Sequence, residues 1–282
     1  MRVLPLLWWL SVGSVALAAP TEMMRYGRDD ARPRAEEQPP PPPKPATADA
    51  PAQSKVPAAG TNVRFFGHAF LYMTTAGGVR IAFNPFPNDP RMGFPFPVGL
   101  PVDVVLISSE SADMSGSDGF SGLPQVFRSI TGIGVNNANG VRFRGIAAFR
   151  DDPNDRHRRG NTIYVLESDR VIFCVLGDLG HPLDKKQERE IGRVDALFLP
   201  IGNKEMSIAD LWKIAAQTRA KWVVPVMYRT DKSPFTDLRT LAEFLDAPES
   251  VNYPRVNAES VEFNFRHNKL PAEPTLLIYP SS

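Results

Sequence analysis

The chain has 282 residues, of which 43% are hydrophobic and 22% charged, ordinary values for a globular protein and enough for one large domain or two small ones. A formal net charge of +1 excludes a general electrostatic pull toward nucleic acid or an anionic membrane. Cys174 is the only cysteine and sits in the apolar run VIFCVL, which excludes an intramolecular disulfide framework and leaves the core alone to stabilise the fold.

The first predicted element is an export signal. Arg2 is a short basic start, Val3 to Val15 is apolar, and Ala16-Leu17-Ala18 supplies the small residues a signal peptidase needs, with cleavage after Ala18. The alternative is an uncleaved membrane anchor, for which the apolar run is short. No cysteine stands directly after the cleavage point, which argues against a lipoprotein anchor. Residues 19–60 predict a disordered linker: they hold mixed charge and the PPPPP run at 39–43, with almost no large apolar residue after Tyr26. Such a composition cannot bury enough surface to offset its ordering entropy, and the proline run is a stiff spacer. A tether after export fits it better than a ligand for proline-binding modules.

From Thr61 the pattern changes to that of a folded domain, 61–282. Val63–Phe66, Phe70–Met73 and Val79–Phe83 predict strands, the last two joined at the turn Thr75-Ala76-Gly77-Gly78. The loop 84–101 is rich in Pro and Phe. Its Phe86, Met92, Phe94 and Phe96 predict either a lid packed on its own core or an apolar contact surface. A buried strand follows at 102–107, then the polar loop SSESADMSG, then a helix over Gly122–Ile130 and a strand over Val141–Phe149. A hairpin is predicted from Asn161 to Leu176, turning at Ser168-Asp169. Then come GDLGH, a helix at 184–191, a strand at Ala196–Pro200, a helix from Ile208 to Arg219 and a strand at Trp222–Met227. A further helix is predicted over Thr236–Leu245 with Thr236 as its N-cap, and two tail strands over Ser260–Phe265 and Thr275–Tyr279. An early strand cluster followed by alternation with helices predicts an α/β protein with a sheet-on-sheet core and helices outside.

Six stretches carry a resemblance: FFGHAFLYM (65–73), RIAFNPF (80–86), VDVVLISSESADMSG (102–116), RGNTIYVLESDRVIFCVLGDLGHPL (159–183), VDALFLPIG (194–202) and WVVPVMYRT (222–230). Their order is similar to that of the metallo-β-lactamase-fold hydrolases. It is closest to the branch with a GDLGH motif that includes lactonase-like proteins. The resemblance implies a four-layer αββα sandwich and, in the active members, a two-metal centre. There the loop after the VDVVL-like strand reads S-H-x-H-x-D-H, a further His precedes the RGNT-like hairpin, the Asp of GDLGH bridges the metals, and a final His ends the WVVPV-like strand. Imidazole and carboxylate suit zinc or other first-row metals, which generate a hydroxide nucleophile near neutral pH.

Carried over residue by residue, the resemblance places Ser109 and Ser111 at the first two His positions, Met114 at the third, Arg150 at the next and Met227 at the last. Asp113 and Asp178 remain, and Asn84 replaces an Asp beside the site. His157 is close enough to Arg150 in sequence to leave that alignment open. Hydroxyls are poor zinc ligands, Met is a soft one, and Arg is a permanent cation. The expected metal set is therefore none, with zinc or another divalent metal as the alternative. Arg150 is expected to sit between Asp113 and Asp178 and neutralise both. His68 and His181 are expected beside the pocket in structural roles, His157 in solvent, and His267 without a partner. Ser109 or Ser111 as nucleophile lacks a positioned His or Lys base and a G-x-S-x-G elbow. Asp113 with Asp178 or Glu110 as a metal-free acid pair lacks any other support.

The expectation is an exported periplasmic or cell-envelope protein with a degenerate, non-catalytic site that binds a small ligand or an envelope protein. It is expected to bind no nucleic acid and to keep no stable membrane span after signal cleavage. The competing class is a hydrolase of an ester, lactone or phosphodiester with an altered site.

Overall fold

A computed structural model describes residues 60–280. The predicted signal segment, and the linker apart from Gly60, lie outside the described residues. No described helix is long and apolar enough to cross a membrane.

The domain opens with β1 (Thr61–Gly67), β2 (Phe70–Thr74) and β3 (Arg80–Phe83), followed by β4 (Val104–Leu106), β5 (Gln125–Phe127), β6 (Gly134–Ala138) and β7 (Val141–Phe149). The hairpin β8 (Gly160–Ser168) and β9 (Val171–Val175) leads to α1 (Lys185–Ile191), β10 (Ala196–Pro200), α2 (Ile208–Thr218) and β11 (Trp222–Val226). The chain ends with α3 (Leu241–Leu245), β12 (Arg255–Asn257), β13 (Glu262–Phe265) and β14 (Thr275–Ile278). Two mixed sheets form, in the orders β13-β1-β2-β3-β4-β5 and β12-β14-β11-β10-β9-β8-β7-β6.

Strand composition explains the layering. Along β10, Ala196 and Phe198 point into the core between the sheets, while Leu197 and Leu199 pack on the outer face beneath α1, α2 and α3. A strand buried on both faces reads as an unbroken apolar run, which is how ALFLP reads. The helices close that outer face with Leu211, Trp212, Ile214 and Phe244, and Trp212 stacks on Phe244 at 4.2 Å. On the first sheet the outer cover is the Phe/Pro loop, whose one regular turn is a 3-10 helix at Pro90–Met92. Phe86, Met92 and Phe94 are buried there against Phe70, Tyr72 and Val105. Those side chains cover the sheet, so they do not form the apolar contact surface that the composition also allowed.

Two predicted helices are corrected. In place of a helix over Gly122–Ile130 the segment holds only the short edge strand β5, because Gly122 has positive φ, Pro124 interrupts a helix, and the free edge of β4 accepts Gln125–Phe127 in parallel register. The last helix starts four residues later than expected. Thr240, not Thr236, is its N-cap, in a reciprocal capping box with Glu243. The residues before it form a turn instead of a helix, with Leu238 N–H donating to the Phe235 carbonyl; Arg239 N–H then donates to the Gly202 carbonyl at 3.0 Å, and the Arg239 carbonyl accepts from Arg229 N–H at 2.8 Å.

Candidate functional site

The polar loop leaves β4 at the rim between the sheets, and two asparagines set its neighbourhood. Asn84, left-handed at φ 48, turns its side-chain oxygen to accept from Ser108 N–H at 2.7 Å. Thr162 N–H donates to the Ser108 carbonyl at 2.8 Å, tying the loop to β8. Asn161 accepts from Asp178 N–H at 3.0 Å and donates to the Leu176 carbonyl at 2.8 Å, which fixes the start of GDLGH. Each amide satisfies backbone groups that would otherwise be buried unpaired.

GDLGH in turn clamps the end of β7. Gly180 N–H donates to the Phe149 carbonyl at 3.0 Å. His181 accepts from Phe149 N–H through Nε2 at 3.1 Å, so its proton is on Nδ1, which donates to the Pro182 carbonyl at 2.8 Å. Both His181 nitrogens are thereby committed to backbone. The clamp sets Arg150, the next residue, against Asp178: Arg150 Nε donates to one carboxylate oxygen and Asn203 donates to the other at 2.9 Å. The Asp178 side chain is fully buried and that of Arg150 is 15% accessible. Burial raises the Asp178 carboxyl to about 6; Arg150 and Asn203 oppose the rise and Asp113 adds to it.

Asp113 has a different partner from the one expected. His68 Nε2 lies 2.9 Å from one carboxylate oxygen and the Ser111 hydroxyl donates to the other. Arg150 therefore holds Asp178 alone, and His68 takes Asp113. Burial works to raise the Asp113 carboxyl, but the His68 hydrogen bond and charge, with Ser111, bring it well below the usual carboxylate range. His68 stacks on Phe235 at 4.8 Å and its carbonyl accepts from Met227 N–H at 2.7 Å. His68 and Met227 both adopt left-handed backbone, at φ 52 and φ 55, a conformation that non-glycine residues keep only where surrounding contacts enforce it.

The other sequence candidates separate clearly. Met114 is fully buried in the core between the sheets, and Ser109 is also buried. Glu110 turns outward to Arg128 at 2.7 Å and so does not join Asp113 as an acid pair. His157 is exposed. Asp113, Arg150, Asp178 and Met227 line a common cleft of about 340 Å³ with Arg159, Asn203, Lys204, Glu205, Phe235, Asp237 and Leu238. The rim residues Asn203–Glu205 were not legible as site residues. Their positioning element is Arg239, which is buried and donates to the carbonyls of Asn203, Lys204 and Met206.

The donor chemistry does not fit a metal. Among the described residues no three His, Cys, Asp or Glu side chains converge on one point. The carboxylates of Asp113 and Asp178 already accept from His68, Ser111, Arg150 and Asn203, and a fixed guanidinium cation occupies one of them.

The two carboxyls make opposite contributions to acid stability. Asp178, raised in the folded state, makes the fold less stable as pH rises from about 4 to about 6. Asp113, depressed in the folded state, contributes stability that is complete above the ordinary carboxyl range and is lost as pH falls below it. Urea unfolding between pH 3 and pH 7 is expected to show a maximum at mildly acid pH. Asp178→Asn should flatten the limb between about 4 and 6; an unchanged limb would reject the assignment.

Comparison with known proteins agrees with this architecture. A family model described as "Beta-lactamase superfamily domain" matches residues 62–227. A crystal structure from Thermotoga maritima, described as a Zn-dependent hydrolase of the metallo-beta-lactamase superfamily, is 26% identical with a TM-score of 0.61, covering 79% of this chain and 100% of its own. Igni18, a metallo hydrolase from Ignicoccus hospitalis, is 20% identical with a TM-score of 0.50, covering 68% and 92%. A protein from Veillonella parvula is 11% identical with a TM-score of 0.54, covering 73% and 100%. No curated protein matches the chain. The two mixed sheets with their few helices are a metallo-β-lactamase α/β sandwich, and because the matched family model spans more than half of its residues, the chain belongs to the beta-lactamase superfamily domain family.

Proposed function

We propose that this domain is a non-catalytic member of its family, an exported ligand-binding protein in which an internal cation stands where hydrolytic members carry metal. The observation that carries the reading is the Arg150–Asp178 pair. The carboxylate that the family resemblance assigns to bridging metals here accepts from a guanidinium instead. The exchange of His for Ser109, Ser111, Met114, Arg150 and Met227, inferred from the sequence resemblance, supports it, as does Asn84 in place of Asp. An arginine is protonated at all relevant pH and repels a divalent ion, while hydroxyl and thioether groups replace none of the lost imidazole affinity. A nucleophilic serine has no base: the Ser111 hydroxyl donates to Asp113, and His68 bonds the same carboxylate rather than the hydroxyl. Residues 1–18 as an export signal and 19–60 as a tether place the domain in the periplasm or cell envelope.

The Thermotoga relative's description as Zn-dependent favours the competing reading, hydrolysis of an ester, lactone or phosphodiester at an altered metal site. Elemental analysis of the purified chain, paired with a hydrolysis screen on those three bond types, separates the two. The expected result is less than stoichiometric zinc, iron and manganese and no turnover. One or more tightly held metals per chain, with turnover that a chelator removes, would establish the competing reading.

A further inference from the structure

We propose that the cleft binds a small organic acid, its one carboxylate accepting from the free end of the Arg150 guanidinium and its apolar body lying against Met227 and Phe235. The proposal rests on the metal-free reading of the site. A guanidinium carries five N–H donors in a planar fork. Arg150 uses Nε on Asp178, and its terminal nitrogens make no hydrogen bond to any described residue although the side chain is only 15% accessible. The nearby carboxylates are already committed: Asp178 accepts from Asn203 and Arg150, and Asp113 from His68 and Ser111. An outside carboxylate is the group whose geometry matches the unused edge of the fork.

The rest of the cleft narrows the ligand further. Met227, Phe235 and Leu238 supply an apolar wall. The volume of about 340 Å³ exceeds the roughly 150 Å³ of a cavity that holds benzene, so a body of phenyl size fits. The lining carries three cations, Arg150, Arg159 and Lys204, and four acids, Asp113, Asp178, Glu205 and Asp237, and the Arg159 guanidinium is itself paired with Asp151. That balance disfavours a polyanion such as a polyphosphate and suits a single carboxylate placed on one particular cation.

Calorimetric titration of the full chain with phenylpropionate, phenethylamine and tripolyphosphate tests this. Phenylpropionate is expected to bind at one site; phenethylamine, with the same ring but an amine, and tripolyphosphate are expected not to bind. Arg150→Lys keeps a positive charge for Asp178 but loses the fork, so it should weaken phenylpropionate binding at least tenfold, on the order of one charge-assisted hydrogen bond. Should that variant fail to fold, the methyl resonance of Met227 in the unsubstituted protein gives the second readout, shifting with phenylpropionate and not with phenethylamine. Equal binding by Arg150→Lys, or no response of metal-free protein to phenylpropionate in both measurements, would overturn this proposal alone. Stoichiometric metal in the cleft would instead remove the reading beneath it.

Discussion

Arg150→Met is expected to cost about 3–5 kcal/mol of stability at neutral pH, because it strands a fully buried carboxylate without its cation. Methionine has a similar length and fills the space, so loss of volume contributes little. Because the stranded group is titratable, the deficit is pH-dependent. Asp178 already has its carboxyl raised to about 6 by burial, and removing Arg150, which opposes that rise, moves it higher. The folded variant therefore takes up a proton before the unfolded chain does, and its stability rises as pH falls through that window. Urea unfolding at pH 7 and pH 5 should show the deficit shrinking on acidification, and Asp178→Asn added to Arg150→Met should recover most of it. A deficit of equal size at both pH values would mean that packing, not charge, explains the loss.

Gly180→Ala is expected to destabilise the domain by about 3 kcal/mol or more. A Cβ on Gly180 would lie 1.6 Å from the Arg150 carbonyl oxygen, which is backbone and cannot rotate away. The loop must move off β7, breaking the Gly180–Phe149 hydrogen bond and the His181 contact with Phe149 N–H. Gly160→Ala is the matched control: its Cβ would meet nothing within 4 Å, so its effect should be small. Thermal unfolding of the two variants side by side tests the pair. Equal loss from both would show that the close approach of GDLGH to β7 is not what requires glycine at 180.

Much of the architecture was legible because burial on both faces leaves plain marks. ALFLP, WVVPV and VIFCV are apolar runs of strand length, and they are β10, β11 and β9. The edge strands β6 and β12 were missed for the converse reason: GVNNA and RVN expose most of their residues and carry no apolar alternation. Thr236 is not the cap because three positions after it stands Arg239, whereas three positions after Thr240 stands Glu243, which completes a capping box. In the site, the proximity of Arg150 to Asp178 followed from aligning two motifs in chain order. The partner of Asp113 did not: His68 reaches it from β1–β2 across a tertiary contact, and a backbone turn at φ 52 aims the ring. Asn203 and Arg239 gave no sequence signal, since each acts through a single side chain directed at groups 25 or more positions away.

Anomalous diffraction tests most directly whether a guanidinium takes the place of metal beside Asp178. Crystals of the full chain grown with millimolar zinc should show Arg150 hydrogen-bonded to Asp178, His68 to Asp113, and no anomalous peak at the zinc edge in the cleft. An anomalous peak coordinated by Asp113 or Asp178, with Arg150 swung away, would contradict the account.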